Sequence, residues 1–227
     1  MRFGIVHFPG SCDEADAVLA CRRFGDAELL WHGNADLNEV DAVVIPGGFS
    51  YGDYLRVGAI ARFSPVMEAV KEFALRGGPV LGICNGFQVL CEAGLLPGAL
   101  LPNIGLRFLC KQVEVEVVNR DTPFTRACEA GETLSIPVKH TTGRYYAPEA
   151  ALDELEANGQ VLLRYAEGQN PNGSLRDIAA VCNRQKNVMG LMPHPEHAVD
   201  PLTGSADGGR VFESIVAQVA DLTAAAA

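Results

Sequence analysis

Residues Pro79 to Leu90 read PVLGICNGFQVL, and the stretch changes character at Cys84. Pro79 to Ile83 is a short, continuous apolar run, the pattern of a strand buried on both faces. Phe87, Val89, Leu90 and Ala93 follow at mixed helical spacing, and Gly94 can end that helix. A strand running straight into a helix, with glycines at 82 and 86 flanking a cysteine, predicts a sharp turn that presents the Cys84 thiol. A cysteine so placed lies near the helix N-terminus, where the dipole and free N–H groups favour a thiolate.

The same alternation extends outward. Toward the N-terminus, Phe3 to Phe8, Ala27 to Trp31 and Asp41 to Ile45 read as strands. Asp13 can cap a helix carrying Ala17, Val18, Ala20, Cys21 and Phe24, and helical periodicity runs from about Gly58 to Leu75. Toward the C-terminus strands dominate. Val113 to Val118 (VEVEVV) alternates as in a sheet with one wet face, and Leu134 to Val138 and Val161 to Tyr165 look similar. Asp177 to Cys182 and Val188 to Met192 are more apolar, and a helix from about Gly208 to Leu222 follows. No repeat or linker interrupts the pattern. The expected fold is α/β, a mostly parallel central sheet flanked by helices with additional antiparallel strands, in a single domain spanning 1–227.

Bulk properties narrow the function. The 227 residues are 48% hydrophobic, enough for a substantial core. A formal net charge of -10 repels phosphate backbones and disfavours nucleic acid. No apolar run approaches the roughly 20 residues that span a bilayer, and no signal peptide is legible, so no membrane partner and a cytoplasmic location are expected. Seven cysteines without a CxxC pair suggest neither a disulfide framework nor a zinc site, so no metal is expected.

A cysteine nucleophile needs a proton shuttle and a group that orients it. Of five histidines, His194 lies in GLMPHPEHAVDP with Glu196 two residues on. In an extended, proline-stiffened segment the two can project to one side. His197 is a rival with poorer spacing to Glu196. His7, His32 and His140 lack a comparable carboxylate and read as structural.

At this point the sequence resembles the class I (triad) glutamine amidotransferases. Within them it is most similar to the glutaminase-subunit family of the phosphoribosylformylglycinamidine synthases. GICNGFQ and the distant PHPE carry the wider likeness. IPGGFSYGDYLRVGAIAR (Ile45 to Arg62), GICNGFQVLCEAGLLPGALLPN (Gly82 to Asn103) and NPNGS (Asn170 to Ser174) carry the narrower one. The resemblance implies a flavodoxin-like fold and a catalytic triad of Cys84, His194 and Glu196. It implies oxyanion donors at Gly48 and Asn85, and a glutamine pocket formed with Gln88, Asn103 and Phe108. It implies no cofactor in this chain, with ATP and magnesium on a large synthetase subunit that also binds formylglycinamide ribonucleotide, and a small accessory subunit beside it. No GxxxxGK[ST] loop occurs in the chain, which fits that division of labour. The sequence departs from the family pattern at Cys12, where an asparagine usually follows Ser11. It departs again at Thr141-Thr142, where the family usually reads Gly-Glu. The alternatives are a glutaminase serving another synthetase, and a glutamine-binding regulator without turnover.

Overall fold

The computed structural model describes residues 1–226, so Ala227, the last residue of the expected domain, lies outside the described residues. In chain order the elements are β1 (Arg2–His7), α1 (Glu14–Cys21), β2 (Asp26–Trp31), β3 (Ala42–Ile45), α2 (Pro65–Leu75), β4 (Val80–Ile83), α3 (Asn85–Glu92) and β5 (Ala99–Pro102). There follow β6 (Leu109–Val117), β7 (Thr133–His140), β8 (Thr142–Tyr146), α4 (Glu149–Ala157), β9 (Val161–Tyr165), β10 (Ile178–Cys182), β11 (Val188–Leu191) and α5 (Gly209–Ala226).

Nine strands form one sheet in the order β2-β1-β3-β4-β11-β10-β9-β6-β7. The first five are parallel; from β10 onward the pairing is antiparallel. This is the expected mixed α/β sheet. Every residue of β3, β4 and β11 is buried, as continuous apolar runs require when both faces are covered. In β6, Val113, Val115 and Val117 are buried while Glu114 and Glu116 face solvent, so the alternation seen in the sequence does mark a wet face. Phe212 of α5 stacks on Phe24 and meets Phe3 edge-on, with centroids 5.6 and 6.4 Å away. Burying such a ring contributes roughly 1.5–3 kcal/mol.

The register places the site. Gly190 of β11 lies opposite Gly82 of β4, and Ile45 of β3 lies opposite the same Gly82. Three parallel strands therefore end side by side. The turns that follow them, Pro46–Gly48, Cys84 and Met192–His197, emerge along one edge of the sheet, where open parallel sheets bind ligands.

Two expectations are corrected. The helix expected from Gly58 begins only at Pro65. Ser64 is extended, with φ -64° and ψ 142°. The residue before proline avoids helical geometry, while proline itself suits the first helical position. Residues Ala61–Phe63 form only a short 3-10 turn. Asp13 stands at the N-cap of α1, yet its side chain makes no capping hydrogen bond. The ribbon of β5 with β8, and helix α4, are additional elements with weak patterns in the sequence.

Candidate active site

Cys84 sits at φ 50° and ψ -102°, a conformation unfavourable for any residue with a side chain. The surroundings impose it. Its N–H donates to Leu191 O at 2.8 Å, which ties the turn to β11. Two residues on, a Cβ at Gly86 would lie 1.9 Å from Ile45 O, so only glycine lets α3 leave this close to β3. Cys84 is 6% exposed and its sulfur lies 3.8 Å from Lys139 O.

His194 comes from the loop after β11. Its N–H donates to Pro137 O of β7 at 2.8 Å, which anchors the loop to the antiparallel half of the sheet. Its Nδ1 lies 2.6 Å from Glu196 Oε1, and both side chains are almost wholly buried. The expected pairing is present, but the route differs from the expected extended segment: Pro195–His197 form a 3-10 turn that brings Glu196 back to the ring. Burial opposes protonation of His194. The Glu196 carboxylate first, then the neighbouring Cys84, overcome that and raise its pKa well above the usual imidazole range. With Nδ1 held by a carboxylate, Nε2 is left to exchange a proton, and it has no hydrogen-bond partner among the described residues. That is the arrangement of a base poised beside a thiol.

A second carboxylate joins them. Asp13 Oδ2 is 3.7 Å from His194 Nδ1, and Asp13 Oδ1 is 3.4 Å from His197 Nε2 and bonds the Lys139 ammonium. Burial would raise the Asp13 pKa, but His197, His194 and Lys139 together hold it well below the ordinary carboxylate range. Gly47 makes the approach possible, since a Cβ there would stand 2.3 Å from Asp13 Oδ2 and 2.7 Å from His194 Cε1. Asp13, His194, Glu196 and His197 offer ligand atoms within 4.8 Å of one another, enough to hold a metal ion. The short Nδ1–Oε1 bond and the Lys139 pair engage His194, Glu196 and Asp13 within this cluster.

A pocket of about 120 Å³ opens in front of the thiol, and its lining includes Cys84, Gly48, Gln88, Phe108, Asp53 and Lys139. The N–H groups of Gly48 and Asn85 have no backbone acceptor among the described residues, which leaves them available to a developing oxyanion. The Asn85 side chain fixes the surrounding turns: Oδ1 accepts from Ser50 N at 3.1 Å, and Nδ2 donates to Gln88 Oε1 at 3.0 Å. Gln88 in turn donates to Thr142 O at 2.5 Å.

Asn103 does not line the pocket. It is 1% exposed and its amide is already engaged: Nδ2 donates to Arg107 O and His140 O, and Oδ1 accepts from Gly143 N and the His140 ring. An amide so committed has little left for a ligand, so its assignment to the glutamine pocket is corrected to a role in shaping the 140–143 loop behind it. His140 does line the pocket. Its Nδ1 lies 3.0 Å from Asn103 Oδ1 and its Nε2 3.5 Å from Asn172 Nδ2, and burial, with the nearby His194 charge, pushes its pKa down to about 4. A neutral ring suits both partners: Nδ1–H donates to Asn103, and Nε2 accepts from Asn172.

The structure thus brings Cys84, His194 and Glu196 together as the sequence led one to expect, and adds Asp13 and Lys139, which the sequence did not point to for this site. Asp13 and Lys139 meet across 126 positions of chain, and neither has a local motif.

Residues 2–214 match the family described as the CobB/CobQ-like glutamine amidotransferase domain. Phosphoribosylformylglycinamidine synthase subunit PurQ of Rubrobacter xylanophilus is 59% identical over 218 residues, covering 96% of this chain and 98% of that one. The subunit of the same name from Mycobacterium tuberculosis is 58% identical over 92% of each chain. Among solved structures, PurLQS from Thermotoga maritima matches with a TM-score of 0.89 at 43% identity, covering 96% of this chain and 98% of that one. The chain belongs to the PurQ family of phosphoribosylformylglycinamidine synthase subunits, within the CobB/CobQ-like glutamine amidotransferases.

Proposed function

We infer that this chain is the glutaminase subunit of a phosphoribosylformylglycinamidine synthase. It hydrolyses glutamine to glutamate and ammonia and delivers the ammonia to a synthetase subunit for ATP-dependent conversion of formylglycinamide ribonucleotide to formylglycinamidine ribonucleotide. The observation that carries the reading is the unpartnered, buried Nε2 of His194 next to Cys84, in a chain this similar to PurQ subunits.

The chemistry follows from the positions of the groups. His194 Nε2 takes the Cys84 proton, and the sulfur attacks the amide carbon of glutamine. The oxygen becomes an oxyanion before the N–H groups of Gly48 and Asn85. As the tetrahedral species collapses, the C–N bond breaks and His194 returns its proton to the departing nitrogen, giving ammonia and a glutamyl thioester. Water, deprotonated by His194, then opens the thioester to glutamate and restores the thiol. Glu196 holds Nδ1–H and stabilises the imidazolium in both halves. Gln88 and Phe108 wall the glutamine pocket.

The family match over residues 2–214 supports reading the chain as one glutamine amidotransferase domain. ATP and magnesium belong on a large synthetase subunit, with a small accessory subunit completing a cytoplasmic complex. No helix among the described residues is long and apolar enough to cross a membrane. The test is glutamine-dependent turnover of the complex purified with wild-type chain and with Cys84→Ala. Glutamine should support synthesis only in the wild type, while ammonium should support it in both. Loss of the ammonium-dependent reaction in an intact variant complex would sink the division of labour.

A further inference from the structure

Four titratable or charged side chains line the pocket in front of Cys84, apart from the thiols: Asp13, Asp53, Lys139 and His140. Three have partners. Asp13 and Lys139 form an ion pair, and the His140 ring is held between Asn103 and Asn172. Asp53 is the exception. It makes no ion pair among the described residues, and its Oδ1 is buried with no hydrogen-bond partner. Burial alone lifts its pKa to about 6. An uncompensated carboxylate in a cleft disfavours the empty site, and that cost is recovered only when a cation arrives. The backbone is committed to this placement too. Tyr51 and Asp53 have φ 54° and 56°, with Gly52 between them at φ 69°. The loop is thus bent, against the preference of two residues with side chains, to turn Asp53 where it is.

A substrate amide bound at Cys84 carries, in glutamine, one cationic group, the α-ammonium. We propose that Asp53 binds the α-ammonium of glutamine and so selects the free amino acid over amides that lack it. The proposal rests on the reading of this chain as a glutaminase. A site built to pair with a charged donor rejects an analogue without it, because the buried acceptor is then left alone.

The test compares ammonia release from glutamine and from glutaramate, which lacks the α-amino group, using the chain assembled with its synthetase. Asp53→Asn is suitable because asparagine tolerates positive φ as well as aspartate does. In the variant, KM for glutamine should rise roughly 10- to 100-fold with kcat changed by less than about 3-fold. Glutaramate kcat/KM should not fall, because that substrate leaves the Asp53 carboxylate without a partner, so the preference for glutamine collapses. The urea midpoint of the variant should not fall, since a half-buried carboxylate without a partner has been removed. An unchanged preference, parallel losses on both substrates, or a lower urea midpoint would overturn the proposal. If wild-type complex releases no glutamate from glutamine, the proposed function itself has failed; if it does and the variant keeps its preference, only the role of Asp53 has.

Discussion

Asp13 holds Oδ2 3.7 Å from His194 Nδ1, the nitrogen that Glu196 Oε1 already engages at 2.6 Å. The base is thus flanked by two carboxylates, one from each end of the chain. Both favour imidazolium, but Lys139 already neutralises much of Asp13. Asp13→Asn should therefore lower the pKa of His194 modestly, moving the alkaline limb of the kcat/KM profile down by about half a pH unit. Glu196→Gln should act more strongly, lowering kcat by about 10³- to 10⁴-fold, because it also loses the group that fixes the ring tautomer. Equal effects of the two variants would contradict this ordering.

Cys84 carries both the chemistry and the strain. Cys84→Ala should reduce glutamine hydrolysis by at least about 10³-fold. Cys84→Gly should be equally inactive yet more stable than Cys84→Ala by about 1 kcal/mol, since glycine accepts a positive φ without penalty. Urea unfolding of the two inactive variants measures the difference directly, and a more stable alanine variant would show that the turn is relaxed.

Gly86 allows α3 to leave close beside β3. In Gly86→Ala the new methyl would overlap Ile45 O, a backbone atom that cannot rotate away. We expect a loss of about 3 kcal/mol or more in unfolding free energy, with Cys84 displaced and activity lost with it. A variant as stable as wild type would mean that α3 can shift as a body.

His140 makes stability depend on pH. Its folded pKa of about 4 lies below the ordinary 6.5, so between these values the unfolded chain binds a proton that the folded chain refuses. Its contribution is fully present above the ordinary value and is lost as pH falls toward the folded one, a change of about 3 kcal/mol. Urea titrations at about pH 7 and about pH 5 should show His140→Gln losing less stability on acidification than wild type. Identical losses would assign the acid sensitivity elsewhere.

The strands that build the site were readable because each is a short apolar run with a turn behind it. Cys84 was readable because its glycines and helix are adjacent in sequence, and Glu196 because it lies two residues from His194. The polar groups around them were not. Asp13 looks like a helix cap in the sequence, a common use of aspartate before a helix, but in the fold it meets Gly47, Lys139 of β7 and His194 of the loop after β11 instead. Asn103 looked like a pocket residue by resemblance, yet its amide is occupied by the backbone of the 140–143 loop. The extended path expected for His194 to Glu196 gave the right pair by the wrong geometry, since a tight turn also brings residues two apart together.

The hydrogen bond from Cys84 N to Leu191 O joins distant parts of the chain, and the strand that supplies it enters the middle of the sheet between β4 and β10. During synthesis the β4–α3 turn therefore emerges long before its neighbour exists. Until β11 is made, β4 has one open edge and the cysteine has neither its anchor nor its base. The last strand to leave the ribosome closes the sheet and arms the thiol in one event, so a nascent or truncated chain cannot consume glutamine before it can fold.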